Sequence, residues 1–253
     1  MAAAEGRRGV QDEVQGDLVE REVEAAPDLI AGEGEKVRAP DLHGTLTVEK
    51  GTVVVDHCEY LDIYSRSSVI FDLGARLPSQ VFKGDLGDSL FCEFEAVFFP
   101  ELWPAFCEMA RWHGDGHVEL LVLEPDCDDF YIPERLGYPA VSLSVEASVD
   151  DYWAAVGFEA EGDSLGSIVI SANVVAVTGP SGRWGCWGER CPEVGVFRGF
   201  PNLAARDKWQ EQFGPFLEVS DALDSYLQLS LSDRAVPAEY AAALTANYGP
   251  SGR

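Results

Sequence analysis

The chain has little positive charge. Its 253 residues carry 18 Lys and Arg against 44 Asp and Glu, a net charge of −26. That balance disfavours phosphate-backbone contacts and so argues against nucleic-acid binding. Long apolar runs are missing too. The stretch from Ile168 to Val177 is broken by Ser171 and Asn173, so no segment approaches the ~18 residues of a membrane span. No Phe, Tyr or Trp occurs in residues 1–40. Without them the segment cannot bury enough surface to offset its ordering entropy, and it reads as a disordered acidic tail. Arg7 and Arg8 are followed by acids, not by an apolar h-region. The chain therefore lacks a secretory signal and is expected in the cytoplasm, where its six cysteines stay as free thiols.

Catalytic signatures are equally scarce. There is no Gly-x-Ser-x-Gly, no Walker loop and no Gly-x-Gly-x-x-Gly after a strand. No cofactor is implied. The run EPDCDDFYIPER places Asp126, Asp128 and Asp129 close together but lacks the central glycine of a calcium loop. His113 and His117 have metal-ligand spacing, yet Gly114 and Gly116 break the helix that would align them. Cys186 and Cys191 have no second pair nearby, so a zinc site is not expected either.

What the chain does have is material for one core. Apolar residues make up 46%, including 13 Phe, 8 Tyr and 6 Trp. The expected organisation is a tail over 1–40 and a single domain over 41–253. Alternation of apolar and polar residues predicts a hairpin in TLTVEKGTVVVDHC around Lys50-Gly51. It also predicts strands at SSVIFDL, SLFCEFEAVFF, HVELLVLEP, AVSLSV, SIVIS and VVAVTG, and a hairpin from RWGCWGE and EVGVFRG. Pro100 opens a helix that stops at Gly114, and Ser148 with Asp151 forms a capping box. Three helical patterns close the chain, begun by Asn202, Ser220 and Pro237. The sum is α+β: an antiparallel or mixed sheet, one inserted helix and a helical C-terminus.

Two features carry functional weight. From Asp85 to Glu134 there are thirteen carboxylates and one base, Arg111. The second is GPSGRWGCWGER, residues 179–190, where Trp184 and Trp187 alternate with glycines. Residues three apart in a strand face opposite sides, so one indole should point inward unless a bulge realigns them. Trp and Arg dominate binding hot spots, and the candidate partner-binding set is Arg183, Trp184, Trp187, Glu189 and Arg190, with Asp126, Asp128 and Asp129. The stretch SGRWGCWGER, with the NVVAVTG strand before it, resembles uncharacterised bacterial proteins similar to immunity proteins of toxin systems. That resemblance covers about twenty residues and implies a cytoplasmic factor that neutralises a basic protein. The alternatives are a carboxylate- or metal-dependent hydrolase and a ligand-free scaffold.

Overall fold

The computed structural model describes residues 55–129, 137–159, 162, 164–229 and 235–250. The tail over 1–40, the hairpin expected around Lys50-Gly51 and most of the loop after Asp129 lie outside the described residues. All described residues belong to one unit, Leu46–Arg253.

The first described element is a helix, α1 (His57–Ile70). Asp56 caps it, its carboxylate accepting the Glu59 N–H at 2.8 Å. Tyr60, Ile63, Ser67 and Ile70 are its buried residues, at helical spacing. SSVIFDL is therefore the end of a helix and not a strand. The local apolar run misled because the stripe that fixes the helix begins seven residues earlier. Only Phe71 pairs as strand, with Phe82.

Six strands follow: β1 (Leu90–Cys92), β2 (His117–Glu124), β3 (Ala140–Ser144), β4 (Val174–Thr178), β5 (Gly185–Glu189) and β6 (Val194–Arg198). They form one sheet in the order β1-β6-β5-β4-β2-β3, and every pairing is antiparallel. The α+β class stands. Helices interrupt the sheet more than once. Helix α2 (Trp103–His113), entered by a tight turn at Pro100–Leu102, lies between β1 and β2. Helix α3 (Val149–Val156) and the single turn α4 (Ile168–Ser171) lie between β3 and β4. SIVIS is thus a helical turn: Ile168 is buried and Ile170 exposed, and no described strand offers it a partner. SLFCEFEAVFF is strand only to Cys92, then coils into a 3-10 turn at Glu95–Phe98.

The C-terminus holds α5 (Leu203–Phe213), α6 (Val219–Leu223), α7 (Tyr226–Leu229) and α8 (Ala238–Tyr248). Asn202 caps α5 through its side chain, accepting from Ala205 N–H at 2.9 Å. Pro237 opens α8. The cap of α6 is Glu218, not Ser220, which lies in its first turn.

Strand alternation sorts the sheet's side chains into two cores. One face packs Val118, Leu120, Val175, Val177, Cys186 and Phe197 beneath α2, α3 and Trp209 of α5. The other packs Val174, Ala176, Trp187, Val194 and Val196 beneath Phe71, Val81 and α6–α8, with Leu121 under Ile63 of α1.

Candidate functional site

The Trp hairpin is where the two cores meet. Trp184 lies in the first core and Trp187 in the second, both wholly buried. The Trp184 indole N–H donates to Asp115 Oδ2 at 2.9 Å. The Trp187 ring packs on Phe71, centroids 5.5 Å apart, and its N–H donates to Glu189 Oε1 at 2.7 Å. Neither indole can meet a partner in this fold. The expectation of a Trp recognition surface is corrected: strict strand alternation, with no bulge, turns each ring into a separate core.

The flanking arginines act as clasps. Arg183 is exposed, and its guanidinium donates to the His113 carbonyl. Arg190 donates to the carbonyls of Ala172, Val169 and Ile170 and lies 5.0 Å over the Phe94 ring. His113 donates through Nε2–H to the Gly199 carbonyl, 2.7 Å away. Asp115 takes three hydrogen bonds, from Ser181 N–H, Ser181 Oγ and Trp184. His117 is exposed at the start of β2. Cys186 is sealed in the core while Cys191 is exposed past the end of β5. Among the described residues no group of three His, Cys, Asp or Glu is placed to hold a metal ion.

A cleft of about 480 Å³ opens beside the hairpin, lined in part by Arg76, Leu77, Glu124, Asn173, Glu189 and Cys191. Sheet register builds it. Val174 pairs with Glu189 on one side and with Glu124 on the other, the latter just after a bulge in β2. Two inter-strand spacings put the Glu124 and Glu189 backbones roughly 10 Å apart on one sheet face. Glu189 is only 3% exposed. Its Oε1 accepts from Leu77 N–H at 2.8 Å and from Trp187. Burial pushes its carboxyl above the ordinary range, with the hydrogen bonds from Leu77 and Trp187 and the nearby Arg76 opposing. Arg76 donates to the carbonyls of Leu73 and Ala75 and pairs with Glu124 at 3.4 Å.

Asp126, Asp128 and Asp129 stand just beyond Glu124 in an exposed turn, where Asp126 Oδ1 accepts both following N–H groups at 3.1 Å. The acidic segment and the Trp hairpin therefore adjoin, but through Glu124 and Glu189 and not through the indoles. On α3, Trp153 is 45% exposed and Val149, one turn before it, is exposed too, a pair of apolar side chains missing from the sequence-derived candidates. The i, i+4 spacing of the two residues was the signal that could have found it. Glu124, Arg76 and Asn173 were also missed. They come together only through strand register and the 71–82 segment, which no local motif encodes.

Most described cations bond to the chain itself. Of the nine Lys and Arg among the described residues, eight donate to carbonyls, hydroxyls or carboxylates of the chain itself. Arg66 pairs at 2.7 Å with Glu119, itself 3% exposed. Arg198 is buried, donating to Ser89 Oγ at 2.8 Å and to the Asn247 carbonyl at 2.9 Å. Carboxylates such as Asp62, Glu93, Glu101, Asp128, Asp150 and Glu211 face solvent. No helix of the described residues is long and apolar enough to cross a membrane. Comparison with protein-family models, with curated proteins and with solved structures gave no match to this chain.

Proposed function

We propose that this chain is an acidic binding protein that neutralises a basic protein partner in the cytoplasm, an immunity-type factor. One observation supports the reading most: among the described residues carboxylates far outnumber cations at the surface, and eight of the nine cations are tied to groups of the chain itself, so the exposed face is predominantly anionic. Such a surface steers a basic partner and raises its association rate. The likeness of SGRWGCWGER to immunity-type proteins points the same way. Its tryptophans would then be scaffold, and recognition would fall to the acidic segment and the cleft.

The test is to purify the full chain from its native host at low salt, identify any basic protein retained, and remake the pair. A Kd that rises at least about tenfold between 50 and 300 mM salt is expected for several charge contacts. Recovery of no basic partner, or a salt-independent Kd, would sink the reading.

A second reading is favoured by one observation. Glu124 and Glu189 share a cleft, one exposed and the other buried with a raised pKa. Environments that differ in this way suit an acid and base pair in a hydrolase. Loss of a hydrolytic activity in both Glu124→Gln and Glu189→Gln would establish it, and a screen of glycoside and ester substrates without turnover would count against it.

A further inference from the structure

We infer that the Glu189 cleft is a receptor for a cationic side chain, an arginine or lysine presented by the basic partner. This rests on the reading of the chain as an acidic binding protein. The buried carboxylate has one oxygen to offer. Glu189 Oε1 is held by two donors, Leu77 N–H and Trp187 Nε1–H, whereas Oε2 has no hydrogen bond from any described residue. It is not among the sealed, unsatisfied atoms, and the residue lines the cleft. The group is thus 3% exposed, fixed in orientation and open on one side.

Among the described residues no cation occupies that place. Arg190 lines the cleft, but its guanidinium is turned to the α4 carbonyls and the Phe94 ring on the other face. Arg76 is nearest, and its donors go to Leu73, Ala75 and Glu124. Its exposed pair with Glu124 is of the kind that contributes little, so a second cation can share Glu124 at small cost. A volume of about 480 Å³ admits an arginine side chain with its hydration. A charge-assisted hydrogen bond to a largely desolvated carboxylate is the strong kind, and it needs the partner to be cationic. An anion or a neutral polar group would leave Glu189 uncompensated.

The experiment uses the full chain, labelled for NMR, with argininamide as probe and citrullinamide as its neutral isostere. Because the Trp187 indole N–H touches Glu189, its resonance should shift saturably with argininamide and stay still with citrullinamide. Glu189→Gln keeps an oxygen for Leu77 and Trp187, so the fold should persist while argininamide binding falls roughly tenfold or more. Glu124→Gln, at the exposed rim, should weaken it several-fold. The proposal is overturned if the indole does not move, if citrullinamide moves it equally, or if a folded Glu189→Gln chain binds the probe unchanged. A basic partner bound equally well by wild type and by a chain carrying both Glu124→Gln and Glu189→Gln would overturn the cleft and leave the acidic-binding reading standing. Specific argininamide binding without any basic partner would support the cleft and remove that reading.

Discussion

Single residues here separate into those that hold and those that face outward. Trp187 is wholly buried between Phe71 and the Glu189 carboxylate. Trp187→Ala should cost about 3–5 kcal/mol, the usual range for a large core aromatic. Trp153→Ala, at a half-exposed site, should cost under about 1 kcal/mol. Denaturant melts of the two variants check this. Equal losses would mean that the burial assigned to one of them is wrong. Glu189 gives a pH signature. Its folded carboxyl holds its proton to higher pH than an unfolded one. The neutral form therefore favours folding below the ordinary carboxylate range, and that contribution is lost as pH rises through the raised value. Glu189→Gln should match wild type near pH 4 and exceed it in stability by pH 8. A wild type that gains on the variant as pH rises would refute the raised value.

At the scale of elements, local chemistry was legible and register was not. The Ser148–Asp151 capping box was readable because both partners lie within one turn, and both bonds are made, at 3.1 and 2.9 Å. The stop of α2 at Gly114 was readable because its φ of 76° favours glycine. The opposite facing of Trp184 and Trp187 followed from strand geometry alone. SSVIFDL and SIVIS failed because β-branched residues in short runs fit a strand or a buried helical turn equally well. The cleft could not be foreseen, since Glu124 and Glu189 are 65 positions apart and meet only across β4. Register also explains a glycine pair. Gly188 lies opposite Gly195, and a Cβ on Gly195 would sit 2.7 Å from Cys92 Sγ and 3.2 Å from Val97. Gly195→Ala should therefore force β1 away from β6 and lower Tm by several degrees. An unchanged Tm would show that β1 yields freely.

The whole molecule is a polyanion stapled by its own arginines. Self-repulsion among surface carboxylates works against the compact state, and salt screens it. Raising NaCl from 20 to 500 mM should increase Tm, even though it weakens ion pairs such as Arg76–Glu124. A falling Tm would mean that the ion pairs outweigh the repulsion.

That one-sided use of cations also decides which changes the chain can absorb over generations. Exposed aspartates and glutamates that cap no helix and pair with no arginine, such as Asp62, Glu101 and Glu211, can be exchanged, moved or multiplied at little cost. The arginines at positions 66, 190 and 198 are different. Each guanidinium reaches a specific carbonyl, hydroxyl or carboxylate that a lysine would satisfy only in part. Drift should therefore be fast at such exterior acids and slow at a handful of arginines, so that the surface charge can be redrawn while the frame beneath it stays the same.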